Sequence, residues 1–189
     1  MKRGDQGPAV LAYQRLVGLR GDSFCGWDTE TRWRADNDVA MPSGLRRMAR
    51  LIGVVTRYQM GADLKDCTDC SGAVCRALSI CKAHGRPGNP TALDFGTAGI
   101  LADALGAGRV FGVIPLPNVV AGDLVAYGPR DGHAGHIAFV VDPAQRIILD
   151  CSASQNGVHA HPDILAQFWI PHSGRPVYGL RFCGNGALT

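Results

Sequence analysis

Three residues of the kinds that carry out nucleophilic chemistry together occur in order along the chain: Cys70, His136 and Asp150. A cysteine sulfur attacks as its thiolate, an imidazole takes up and returns the proton, and a carboxylate that accepts from the imidazole fixes its orientation. Each alone means little, because cysteine is commonly a small core residue and a single histidine or aspartate a surface one. All three point to acyl transfer only if the elements around them bring them to one place.

Cys70 lies in Asp66-Cys67-Thr68-Asp69-Cys70-Ser71-Gly72-Ala73-Val74. From Ser71 to about Ala83 there is no proline, and Val74, Ala77, Leu78 and Cys81 recur at the spacing of one buried helical face. Asp69 and Ser71 are both candidate N-caps. This predicts a helix with Cys70 in its first turn, where unpaired N–H groups and the helix dipole favour a thiolate.

His136 opens Gly135–Asp142, which with Gly122–Tyr127 and Arg146–Ser152 reads as three strands of an antiparallel meander. Period-two geometry sets His136, Ala138 and Val140 on one face and Ile137, Phe139 and Val141 on the other. A turn over Asp142–Gln145 folds the third strand back, and Asp150 is expected opposite His136; a slip of one residue would send it to the other face.

Together, Asp69-Cys70-Ser71-Gly72, Gly122-Asp123-Leu124-Val125, Gly135-His136-Ile137-Ala138 and Asp150-Cys151-Ser152 resemble the NlpC family of cell-wall peptidases, over roughly Leu45 to Cys183. The resemblance implies a papain-like α+β fold, with an antiparallel sheet packed against helices and the nucleophile at a helix N-terminus. It implies cleavage of peptidoglycan stem-peptide amides, with Cys70 as nucleophile, His136 as general base and Tyr58 matching a tyrosine that precedes the nucleophile. The third position departs from the pattern, since many members carry a second histidine where this chain has Asp150; a carboxylate still orients an imidazole by accepting its N–H. The Cys70 backbone N–H, with the Tyr58 hydroxyl, is expected to contribute to an oxyanion hole. The same triad would serve an amidase cutting the sugar–peptide bond. A different class is a non-enzymatic part of a phage tail or secretion device that engages the wall.

The chain has 189 residues, 46% apolar and 19% charged, which excludes a disordered polymer, and its 25 Gly and 11 Pro favour turns over a helical bundle. The expected division is a short helical appendage at 1–40 and the peptidase domain at 41–189. Net charge is +3, with Arg32, Arg34, Arg46, Arg47, Arg50 and Arg57 clustered early. That bias suits an anionic polymer such as cell wall; nucleic acid is not expected, because no binding motif or aromatic platform accompanies it. The amino terminus has no apolar signal core, and no apolar run approaches the ~18 residues of a membrane span. Synthesis in the cytoplasm without a signal peptide is therefore expected, with delivery to the wall by a virion, holin or secretion machine.

Seven cysteines are present, and without a signal reduced thiols are expected. Cys67-x-x-Cys70 could be a redox pair or half a zinc site. Cys75 and Cys81, six residues apart on one helix, are turned by about 240° and cannot both face one metal with that pair. No cofactor or metal is expected.

Residues 4–37 form a distinct unit in which Pro8 suits a first helical turn, with Val10, Tyr13 and Leu16 or Val17 on one face, and Asp28 or Thr29 capping a second helix carrying Trp33. Its Gly4-Asp5-Gln6-Gly7, Gln14 and Asp22-Ser23-Phe24-Cys25-Gly26 resemble a small peptidoglycan-binding domain, which implies either wall binding or packing on the catalytic domain. Ser43 is expected to cap a helix running through Leu45, Met48, Leu51, Ile52 and Val55. A further helix is expected around Thr97 to Leu105 and a last strand at Val177–Cys183, while His133, His159, His161 and His172 read as surface histidines.

Overall fold

Alternating apolar residues between Phe111 and Phe182 build one antiparallel sheet, the frame of this computed structural model, which describes residues 1–37, 40–62, 65–80, 82, 95–106, 110–163, 168 and 174–184. Its strands are β3 (Phe111–Ile114), β4 (Leu124–Tyr127), β5 (His136–Asp142), β6 (Ile147–Ser152), β7 (Gly157–Pro162) and β8 (Val177–Phe182), ordered β3-β8-β4-β5-β6-β7. Strands β4, β5 and β6 are the expected meander. β8, expected simply as a last strand, inserts between β3 and β4 and is therefore central. A two-stranded parallel piece, β1 (Arg57–Tyr58) with β2 (Cys67–Thr68), sits beside it.

Helices α3 (Ser43–Ala49) and α4 (Cys70–Leu78) cover one face, where Leu45, Met48, Val74 and Leu78 join Ile137, Phe139 and Leu149 in the main core. The other face of β4, β5 and β6 buries Val125, Ala138, Val140 and Ile148 beside Phe168. Each large apolar side chain buried in this way contributes about 1.5–3 kcal/mol. Helix α5 (Thr97–Leu105) packs on β3 and β4. The architecture is α+β, with helices set against an antiparallel sheet and Cys70 at a helix N-terminus.

Several expectations change in detail. In α1 (Pro8–Leu16) Pro8 does occupy the first turn, but the buried residues are Val10 and Gln14, and Leu16 is 82% exposed. Gln14 is buried because its amide donates to Asp22 Oδ1, the Phe24 carbonyl and Thr29 Oγ1 while its oxygen accepts from the Asp22 and Ser23 N–H groups. α2 (Trp27–Asn37) takes Asp28 and Thr29 inside the helix instead of at its cap. Ser43 is likewise helical, with Pro42 at the N-cap. α3 stops at Ala49, since the chain then tightens to i→i+3 bonds and turns at Gly53, whose φ is 78°. α4 stops at Leu78 because Ser79 adopts left-handed φ 59°; Cys81 and His172 lie outside the described residues.

The β5–β6 register decides where Asp150 goes. Asp142 pairs with Ile147, yet the next pairs are Val140 with Ile148 and Phe139 with Leu149, so a bulge absorbs Val141. Without it, the pairing set by the turn would put Asp150 across from Phe139, on the core face. With it, one further step sets Asp150 across from Ala138, on the face of His136. Asp150 is thus diagonal to His136, two residues along, instead of opposite as the turn alone suggested.

Candidate active site

Asp69 caps α4 by accepting the Gly72 N–H at 2.8 Å, which makes Cys70 the first helical residue. Its carboxylate also accepts from Ser71 Oγ, from the Gly61 N–H and, with both oxygens at 2.6 Å, from Lys82 Nζ. Lys82 and Asp69 are both buried. Burial opposes the Asp69 charge, but these partners outweigh it and hold its pKa below the usual carboxylate value. Nothing in the sequence around Lys82 marks it for this role.

Cys70 is 5% exposed and its sulfur lies 3.6 Å from Thr97 Oγ1. Burial pushes the thiol up, and hydrogen bonding to His136, the charge of that ring and the Thr97 contact bring it below its ordinary value. His136 reaches the sulfur from the start of β5. Gly135 permits this, because a Cβ there would meet the Tyr127 carbonyl oxygen at 2.6 Å. His136 Nε2 lies 2.6 Å from Asp150 Oδ2. Burial disfavours the imidazolium, but Asp150 and Cys70 together raise His136 to about 10. Asp150, 3% exposed, is opposed by burial and pulled down to about 2 by His136 and His161. The geometry therefore brings Cys70, His136 and Asp150 into one line of contacts that favours a thiolate–imidazolium pair over two neutral groups.

Tyr58 lines the groove together with Cys70, Ser71, Lys82, Thr97 and Gly135. Its backbone N–H donates to Asn156 Oδ1, and burial, reinforced by the nearby Cys70, pushes its phenol up to about 12, so the hydroxyl keeps its proton. Phe168 lies over the His136 ring at 5.6 Å between centroids, and Tyr127 flanks it at 6.3 Å. Tyr127 sits directly across from His136 in the β4–β5 pairing.

The surface reading of the histidines fails at two positions. His161 Nε2 lies 3.2 Å from Asp150 Oδ1, and His159 Nδ1 lies 2.7 Å from Asp28 Oδ2. The signal in the sequence is the period-two His159-x-His161, which sets both rings on one face of β7 beside β6. His133 is exposed, as expected. Among the other cysteines, Cys67 is buried on β2 with its sulfur 4.0 Å from Gln59 Oε1, and Cys25, Cys67, Cys70, Cys75, Cys151 and Cys183 are all free thiols.

No family model matches this sequence, and no curated protein matches it either. Solved structures of similar shape include NlpC1 from Trichomonas vaginalis at 18% identity and TM-score 0.47, covering 77% of this chain and 45% of that one. NlpC2 from Trichomonas vaginalis is 16% identical with TM-score 0.46, covering 78% of this chain and 48% of that one. The P60 domain from an M. avium subspecies paratuberculosis antigen is 21% identical with TM-score 0.44, covering 74% and 91%. This chain spans less than half the length of the two Trichomonas vaginalis proteins. Likeness at this level carries no argument about activity.

Proposed function

We propose that this chain is an NlpC-type cysteine hydrolase that cuts stem-peptide amide bonds of bacterial peptidoglycan. The observation that carries the reading is the continuous contact from Cys70, at the start of α4 in an open groove, through His136 to Asp150. The Cys70 thiolate attacks the amide carbonyl carbon, and the oxyanion that forms is met by N–H groups of the first turn of α4, with the Tyr58 hydroxyl as a further donor. His136 gives its proton to the amine as the C–N bond breaks, leaving a thioester on Cys70. It then takes a proton from water, whose oxygen attacks the thioester and releases the acid. Asp150 keeps the ring aligned and its cationic form stable throughout.

The substrate rests on the sequence motifs; of the early arginine cluster, Arg32, Arg46, Arg47, Arg50 and Arg57 are bonded to carbonyls or carboxylates of the chain itself. Purified peptidoglycan incubated with the protein and with Cys70→Ala should yield new amine and carboxyl termini within the stem peptide only for the parent chain, identified by mass spectrometry. Termini at the sugar–peptide junction would make it an amidase. No new termini from folded protein would leave the non-enzymatic wall-engaging reading. For residues 1–40, packing is favoured over wall binding by the Asp28 contacts to β7.

A further inference from the structure

We infer that His161 is a second imidazolium of the site, a positioning residue that pins the Asp150 carboxylate for His136. The inference deepens the hydrolase reading and rests on it for its functional meaning. Its structural basis is independent of any substrate.

Both ring nitrogens of His161 face acceptors. Nδ1 is 3.1 Å from the backbone oxygen of Pro162, and Nε2 is 3.2 Å from Asp150 Oδ1. A carbonyl oxygen can only accept, and an ionised carboxylate can only accept. A neutral imidazole carries one N–H and would leave one of these contacts without a proton, whereas the cation supplies both. Asp150 in turn is ionised because it is buried between two rings, with Oδ2 taken by His136 at 2.6 Å and Oδ1 by His161. The site thus holds two anions, the Cys70 thiolate and Asp150, interleaved with two cations.

The surroundings agree. On β7, His159 sits directly across from Asp150, and His161 across from Ile148, so both histidines share the face of Asp150. His159 turns instead to Asp28 of α2, leaving Asp150 to His161. Among the described residues, the other charged groups near this cluster include His136 from β5 and Asp163 just beyond β7, whose carboxylate accepts the Phe168 N–H. Burial opposes the His161 charge, and Asp150 and Asp163 overcome it, raising its pKa above the ordinary value. With both oxygens held, Asp150 cannot rotate away from His136, and the His161 charge limits how tightly Asp150 binds the His136 proton.

The test needs no substrate. Imidazole NMR titration of the intact chain should show His161 still cationic well above its ordinary pKa, and Asp150→Asn should return it to that value or below. His161→Gln, which keeps a donor and loses the charge, should shift the acid limb of Cys70 alkylation by iodoacetamide, and the deprotonation of His136, to higher pH by about 0.5 unit or more. His161→Leu should in addition slow alkylation at least tenfold, and if that variant does not fold the Gln variant still decides. A His161 that titrates at its ordinary value in the parent chain, or a Gln variant with both limbs unmoved, overturns the inference. Loss of peptidoglycan hydrolysis alone would not, since neither readout depends on it.

Discussion

Cys70 and Cys67 are three residues apart, yet their surroundings separate them. Cys70 lies against His136 and Thr97 at a helix start, while Cys67 is buried on β2 near Gln59. Cys70→Ala should abolish hydrolysis and rapid alkylation with an unchanged melting profile, and Cys67→Ala should keep most of both. The reverse result would reassign the nucleophile. Asp150→Asn leaves the ring geometry approximately in place but favours the wrong tautomer, so turnover should fall about 10³- to 10⁴-fold. Steady-state kinetics on isolated stem peptides would measure it, and near-normal turnover would reduce the machinery to Cys70 and His136.

At the scale of elements, the start of α4 depends on an ion pair. Lys82 neutralises Asp69, which otherwise opposes a thiolate one residue away. Lys82→Met leaves a buried, uncompensated carboxylate, an arrangement that typically costs about 3–5 kcal/mol. Urea denaturation should register the loss, and the acid limb of Cys70 alkylation should move to higher pH. A variant of parental stability would mean that Asp69 is satisfied by Gly61, Ser71 and Gly72 alone.

For the whole molecule, the coupling of residues 1–37 to the sheet rests on Asp28, which accepts from the Ala160 N–H at 2.6 Å and meets His159. Arg32 adds bonds to the Arg50 and Ile52 carbonyls, and Ala35 joins the main core. Asp28→Ala should lower stability by about 1–2 kcal/mol, because the pair is partly exposed, and bring His159 back toward its ordinary pKa. Denaturation with histidine NMR would show both; unchanged values would mean that the Asp28 contacts add nothing to a coupling held by Arg32 and Ala35. The acid stability of the fold follows from Asp150. Its pKa falls from 3.8 unfolded to about 2 folded, so its contribution is present above 3.8 and lost as pH falls toward 2. Asp150→Asn should therefore remove part of the slope of stability against pH in that window. His136 has the opposite sign, contributing fully below 6.5 and losing that contribution as pH rises to about 10. The lowered Cys70 thiol works against that loss below 9, where the folded chain has released a thiol proton that the unfolded chain still holds.

Local chemistry was legible in the sequence wherever it depended on neighbours along the chain. The Asp69 cap, the placement of Cys70 in a first helical turn and the period-two faces of Gly135–Asp142 all come from spacing within a few residues. What depended on partners far away in the chain was not. The turn at Asp142–Gln145 indicated a hairpin, but the bulge at Val141 chose the face that Asp150 occupies, and it does so where β6 is held from its other side by β7. Gln14 stands out in the sequence only through a family resemblance, and its burial depends on the loop at 22–24 that closes around it. His161 read as a surface residue because its partner is eleven residues earlier on another strand. Periodicity reports which side of an element a residue takes, and only the packed structure decides which carboxylate, ring or amide waits on that side.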